Sequence, residues 1–199
     1  MPFRLDRETS GVMLLTGDEE LGKRLQRAVQ KGQYRKQYTA LLVGRLRGPV
    51  AAALPLGLRP DSPVRLRRAP LQDGTGQPAF TVFVPLVSNC HATLVQVLPA
   101  TGRLHQIRVH ARALGHPVFG DKIYGPDETL FLEFLEQGWT ERQQHLLGLA
   151  RQALHCSSVE FNADIIDDKR RFSAPLAIDI REFCEHSLGL RPPAYFALE

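Results

Sequence analysis

The sequence predicts an α+β domain, a mainly antiparallel mixed sheet with flanking helices. Apolar runs of strand character recur at 36–44, 80–86, 91–99 and 152–161, without the regular strand–helix alternation of a parallel fold. Helical patterning is confined to a few separate stretches between them. A chain of 199 residues, 43% hydrophobic and 23% charged, can build one substantial core.

The elements follow in order. The chain opens MPFRLDRETSGVMLL, with Asp6 between Arg4 and Arg7 and the small polar run Thr9, Ser10, Gly11 behind them. Val12–Thr16 reads as a short buried strand. Asp18 is placed to cap a helix through about Lys31, with Leu21, Leu25, Ala28 and Val29 on one face and Gly32 to end it. The other face carries Lys23, Arg24, Arg27 and Lys31. Such a face is either solvated or built for a phosphate backbone. KQYTALLVG is a strand with Tyr38, Ala40 and Leu42 on one side and Thr39, Leu41 and Val43 on the other. Residues 47–78, rich in Pro, Gly and Arg, predict long loops with short edge strands. FTVFVPL and HATLVQVLP are two further strands, with VSN as their turn.

TGR then breaks into a helix, LHQIRVHARALG, closed by Gly115 and Pro117. His105, Arg108 and Arg112 share one stripe of it, and Leu104, Ile107, Ala111 and Leu114 form the apolar stripe. Spacing alone favours a surface helix with long basic side chains. The alternative is an arginine on the border of the stripes, aimed inward at a carboxylate. PVFG predicts a short strand before the turn-rich DKIYG. Helices at 127–136 and 140–149, the second with Thr140 and Gln143 as a capping box, precede a strand at 152–161 and a terminal FSAPL segment.

Several function classes fall away. No apolar run approaches the roughly 20 residues of a membrane span, and the start lacks a signal-peptide pattern. Cys90, Cys156 and Cys184 are scattered, with no CxxC spacing, as expected of buried thiols in a reducing cytoplasm. His105 and His110 are five apart and diverge on a helix, and no HExxH or GxSxG occurs, so neither a metal nor an activated-serine site is expected. Charge is more telling. Residues 1–125 hold 18 Lys/Arg against 8 Asp/Glu, while residues 126–199 hold 7 against 13. A basic first part with an acidic remainder points to a polyanion on one side, with nucleic acid the obvious candidate.

RLDRETSGVMLL, RKQYTALLVG, TGQPAFT, TGRLHQIRVHARALGHPVFGDKIYG and ALHCSSVEF…FSAPL occur in the order and approximate spacing of one family. The chain resembles an RluA-type pseudouridine synthase, which isomerises uridine in RNA to its C-glycoside. The resemblance implies that Asp6 is the catalytic aspartate, that Tyr38 contacts the target base, and that Arg108 is the basic partner of Asp6. A guanidinium would orient the carboxylate and offset the cost of enclosing its charge. A tyrosine ring would give the freed uracil a stacking face. A stacked uridine must flip out to reach such a pocket. Arg4, Arg7, Lys23, Arg24, Arg27, Lys31, Lys36, Arg103, His105 and Gln106, with the Arg65–Arg68 loop, would then hold the RNA. The expected partner is rRNA or tRNA, with no cofactor, no metal and no membrane, and the protein is expected to be a cytoplasmic monomer.

Two departures stand out. Phe3 replaces the family's usual His or Asn before RLD, and Gln77 replaces a common Lys in TGQPAFT. The family's catalytic domain normally begins well before RLD, with an NKPAG-like segment, and often follows an S4 domain. The expectation is therefore a single catalytic domain over 1–199, incomplete at its N-terminus and without an S4 domain. The strands at 12–16 and at Tyr38 would then lack a neighbour. The rival reading is a non-catalytic RNA-binding remnant of such an enzyme.

Overall fold

A computed structural model describes residues 2–162, 165–166 and 171–194. The first half runs β1 (Ser10–Gly11), α1 (Glu19–Gln30), β2 (Tyr34–Val43), β3 (Val50–Ala52), β4 (Leu56–Leu58), β5 (Arg68–Pro70), β6 (Thr81–Ser88) and β7 (Ala92–Pro99). The second half runs α2 (Gln106–Ala113), α3 (Thr129–Gln137), α4 (Glu141–Leu147), β8 (Leu154–Phe161), β9 (Arg171–Ser173) and α5 (Ile178–Glu182). The main sheet has the order β1-β8-β2-β7-β6-β3, with β9 also on β8, and β4 pairs β5 in a separate ribbon. Every pairing is antiparallel except β1 with β8. The α+β architecture with a mainly antiparallel sheet is thus the observed one.

A continuous buried run, Tyr38–Leu42, places β2 at the centre. Ala40, Leu41 and Leu42 are buried, as are Leu94, Val95 and Val97 of β7 and Phe83 of β6. Each large side chain so enclosed stabilises the fold by roughly 1.5–3 kcal/mol. Helix α1 adds Leu25 and Ala28 to this core, and its first turn is capped by Asp18, whose Oδ1 accepts from the Leu21 N–H at 3.0 Å. A smaller cluster of Leu56, Val64, Ala79, Val109, Ile123 and Tyr124 packs α2 against the β4–β5 side.

The structure corrects several expectations. Val12–Thr16 is not a strand. Pairing ends at Gly11, Val12 donates one last N–H to the Cys156 carbonyl, and Met13 and Leu15 are exposed. The strand at Tyr38 does not lack a neighbour, because β7 and β8 flank it on both sides. PVFG contributes a single bridge, Val118 to Leu42, before Gly120 turns the chain away. The capping box is half formed. Thr140 Oγ1 accepts from the Gln143 N–H, but the Gln143 amide instead reaches the Leu130 carbonyl. Helix α5 and the π-helical turn Phe183–Ser187 that continues it are absent from the sequence reading, being too short to show a period.

One glycine decides where the first loop lies. Gly11 has φ +111°, and a Cβ there would stand 2.2 Å from the Cys156 carbonyl oxygen. Only glycine lets β1 lie this close to β8. Gly11→Ala is expected to cost on the order of 2 kcal/mol or more and to displace residues 4–9. A thermal melt within about 1 °C of the unsubstituted protein would contradict this.

Candidate active site

Helix α2 begins where three segments meet: the loop before β1, the buried middle of β2 and the loop after β7. Between them lies a cleft of about 150 Å³ lined by Arg4, Asp6, Lys36, Tyr38, Arg103, His105, Gln106 and Arg108. The surface-helix expectation for α2 fails, since Gln106–Ala111 are all buried. The β5 and β6 strands and the 121–125 turn cover it, so Arg108 is withheld from water, and only Arg112 in the last turn is exposed.

Arg108 divides its guanidinium between two carboxylates. Nε and Nη2 donate to Asp121 at 2.6 and 2.8 Å, and Nη1 donates to Asp6 Oδ2 at 3.0 Å. Asp121 is fully enclosed, and its Oδ1 also accepts the N–H groups of Ile123 and Tyr124. Burial by itself would raise the Asp121 pKa, but the Arg108 charge and these hydrogen bonds hold it below the usual carboxylate value. Burial likewise works against the Arg108 charge, and the Asp121 and Asp6 charges outweigh it, leaving the arginine pKa raised. The inward-facing arginine thus has a carboxylate that the sequence reading missed. The signal was available, because an arginine enclosed on a helix requires a buried anion, and GDKIYG supplies an aspartate in a tight turn.

The next residue of that turn holds the same loop from its other flank. Lys122 Nζ donates to both Glu8 oxygens, at 2.8 and 3.0 Å, and lies 4.3 Å from the centre of the Phe134 ring. Arg151 donates to the Glu8 carbonyl, and the Gln152 amide donates to Thr9 Oγ1. Asp6 therefore sits on a short segment fastened on both sides, its own side chain 22% exposed to the cleft.

Tyr38 is buried beneath the cleft, and burial pushes its phenol well above the ordinary value, with the neighbouring Cys156 thiol adding to the shift. A β-bulge fixes its position. The register of β2 against β8 steps from Gln37–Ser158 to Tyr38–Cys156, and the skipped Ser157 donates its hydroxyl to the Gln37 carbonyl. Lys36 lies within 6 Å of the ring centres of Phe3, Tyr34 and Tyr38, at 5.8, 5.5 and 5.9 Å. Among the described residues it has no carboxylate partner. Phe3, one of the departures from the family pattern, stacks on Tyr34 at 6.3 Å and so belongs to this aromatic wall.

The other candidates divide. Arg4 and Arg103 reach the cleft, whereas the exposed Arg7 does not line it. Gln106 lines it but is committed to the protein, accepting from Thr101 Oγ1 and the Arg103 N–H and donating to the Phe80 carbonyl and Thr81 Oγ1. It shapes the 101–103 loop rather than offering a free amide. Lys23, Arg24 and Arg27 stand on α1 and Lys31 caps its end, all outside the cleft lining. Lys23 pairs with Glu19 and Glu20, and Arg24 donates to the Ile165 carbonyl. Among the described residues no group of three or more His, Cys, Asp or Glu could hold a metal ion, and no helix is long and apolar enough to cross a membrane.

Three histidines are enclosed: His105 beside Asp6, His110 between Thr81 and the Leu54 carbonyl, and His155 between Ser10 and the Ala174 carbonyl. Burial lowers the pKa of each, that of His105 to about 4. The unfolded chain takes up these protons near pH 6.5 while the folded chain does not. Stability is therefore complete above pH 6.5 and is lost as pH falls from there toward 4, with roughly 2–3 kcal/mol at stake for His105. Thermal melts from pH 8 to 4.5 should show this decline below pH 6.5. A flat profile between pH 7 and 5 would contradict it.

Comparison with known proteins places this geometry. The family model described as RNA pseudouridylate synthase matches residues 2–113, which contain the Asp6 loop, β2 and α2. A Bacillus subtilis protein named as the uncharacterized RNA pseudouridine synthase YjbO is 36% identical over 180 residues, covering 89% of this chain and 55% of that protein. Ribosomal large subunit pseudouridine synthase D of Vibrio parahaemolyticus is 31% identical over 89% of this chain and 52% of its own length. Synthase C of Vibrio cholerae is 32% identical over 90% and 52%. The chain spans about half the length of these curated relatives. The solved structure of human RNA pseudouridylate synthase domain containing 4 shares the fold, with a TM-score of 0.73 at 23% identity over 96% of this chain and 76% of that one. With its motif loop, central strand and arginine helix all inside the matched region, the chain belongs to the RNA pseudouridylate synthase family, in its RluA-type branch.

Proposed function

We propose that this chain converts uridine to pseudouridine in RNA, with Asp6 acting on the sugar of a flipped nucleotide. The observation that carries the reading is the Asp6–Arg108–Asp121 arrangement, with Asp6 and Arg108 lining the same cleft as Tyr38. Asp121 neutralises Arg108 from behind, so the guanidinium can orient Asp6 without the pair closing on itself. The reaction breaks the C1′–N1 bond, turns the uracil and joins C1′ to C5. The C5 proton leaves and N1 gains one, so no oxidant or cofactor is consumed. Asp6 assists cleavage either as a nucleophile at C1′ or as a base on the sugar. Tyr38 offers a ring face to the detached uracil and an oxygen near C5–H.

Lys36, Arg103 and Arg4 line the mouth and suit the phosphates flanking the target. Replacing Lys36 and Arg103 with Gln should flatten the slope of log affinity against log salt by up to about 2 units. Lys23, Arg24, Arg27 and Lys31 should contribute less per residue, since Lys23 and Arg24 are already engaged. A larger slope change from the helix residues would reverse that ranking. The names of the synthase C and D relatives favour large-subunit rRNA over tRNA. Mapping pseudouridines in total RNA with and without the gene tests both the activity and the RNA class. Loss of no pseudouridine would favour the non-catalytic remnant.

A further inference from the structure

His105 has no part in the scheme above, yet its backbone is unusual. Among the described residues it is the non-glycine with positive φ, at 58°. A left-handed residue costs about 1–2 kcal/mol, which the surroundings must offset. The conformation aims the ring. Nδ1 meets the Tyr124 hydroxyl at 2.8 Å, and Nε2 stands 3.9 Å from Asp6 Oδ2.

The partners of Tyr124 assign the hydrogen of the His105 ring. The Tyr124 oxygen accepts the Arg68 N–H at 2.9 Å, and among the described residues Nδ1 is the acceptor within reach of its own proton. Burial, reinforced by the charge of Arg108, keeps the ring neutral, and a neutral ring accepting at Nδ1 bears its hydrogen on Nε2. The cleft therefore presents a donor, His105 Nε2–H, beside an acceptor, Asp6 Oδ2. At 3.9 Å they are too far apart to bond each other. A single oxygen between them could lie about 2.8 Å from both, with an angle of about 90° at that oxygen.

The atom that fits must accept one hydrogen bond and donate another. In an internal uridine the carbonyl oxygens and ring oxygen only accept, N3–H only donates, and the 3′ and 5′ oxygens are esterified. The 2′-hydroxyl does both. We infer that His105 Nε2–H and Asp6 Oδ2 form a reading site for the ribose 2′-hydroxyl of the target nucleotide. The inference rests on the pseudouridine synthase reading. Because C2′ adjoins C1′, a hydroxyl held on Oδ2 brings the carboxylate alongside the glycosidic carbon. His105 is then a specificity-determining residue that tells ribose from deoxyribose.

The test uses an RNA oligonucleotide with uridine or 2′-deoxyuridine at the modified position, against wild type, His105→Asn and Tyr124→Phe. Asparagine tolerates the left-handed backbone, and Tyr124→Phe keeps the imidazole while releasing its tautomer. Wild type should bind the deoxy substrate at least about 10-fold more weakly. His105→Asn should lose about 10-fold on the ribose substrate and show at most a 2- to 3-fold preference between the two. Tyr124→Phe should fall between. Equal affinity of wild type for both substrates overturns the inference, even if both variants fail to fold. An undiminished ribose preference in His105→Asn also overturns it, since a merely structural histidine would weaken both substrates alike. Wild type forming no pseudouridine in the all-ribose RNA would instead remove the activity on which the inference rests.

Discussion

Asp6→Asn is expected to reduce pseudouridine formation by roughly 10³-fold or more while leaving the fold and RNA affinity close to wild type. The amide nearly matches the carboxylate in shape and can still accept the Arg108 Nη1 hydrogen bond. It can neither attack C1′ nor take a proton. Losing one of two carboxylates beside a buried guanidinium would ordinarily endanger the fold. Here Asp121 already balances Arg108 through two hydrogen bonds of 2.6 and 2.8 Å, so the charge stays paired. Tritium release from 5-labelled uridine and a thermal melt measure the two outcomes separately. Turnover within a few-fold of wild type would sink the assignment of Asp6. A large loss of melting temperature would mean that Asp6, not Asp121, is the structural partner of Arg108.

Arg108→Met should strike both properties at once. It leaves Asp121 enclosed without its cation, a situation that costs about 3–5 kcal/mol. In a domain of this size that corresponds to a fall in melting temperature of roughly 6–20 °C. Adding Asp121→Asn should recover much of the stability, because the amide oxygen still accepts the Ile123 and Tyr124 N–H groups that now depend on Asp121 Oδ1. Activity should stay low in the double variant, since the Asp6 carboxylate then lacks the guanidinium that orients it. Recovery of turnover along with stability would show that Arg108 serves the fold alone. A double variant no more stable than Arg108→Met would show that the lost stability does not come from the stranded carboxylate.

Much of the fold was legible where a local pattern carries it. Helix α1 announced itself by Asp18, its apolar face and Gly32, and the β6–β7 hairpin by two apolar runs around a short polar break. Asp6, Tyr38 and Arg108 are legible through the resemblance, and the fold brings them to one cleft. What stayed hidden depends on distant partners. Whether α2 lies on the surface is decided by strands and a turn that cover it, not by its own periodicity. Met13 and Leu15 look like strand residues until the chain runs out of an edge to pair with. Asp121 and Lys122 sit in a segment readable only as a turn, and their importance comes from Arg108 and Glu8, each more than ten residues away in sequence. The His105 backbone has no signature in a helix-like run.

The pairing of β8 has a consequence for how such a cleft can be resized. Gly11 lies against Cys156 on one edge of this strand, and Tyr38 lies against the same Cys156 on the other. The segment that carries the carboxylate and the ring that faces the base are thus referenced to one residue of one strand. Their separation does not pass through the rest of the sheet, nor through the loops at 47–78. Insertions there leave the sugar-to-base span untouched. The extra residue Ser157 beside that shared point works differently. Deleting it would remove the bulge and change how Tyr34–Gln37, Lys36 among them, sit against β8, while Gly11 and Tyr38 keep their common reference at Cys156. The dimension that matches a nucleoside is therefore set in two or three positions of β8, while the surfaces that select an RNA remain free to vary around it.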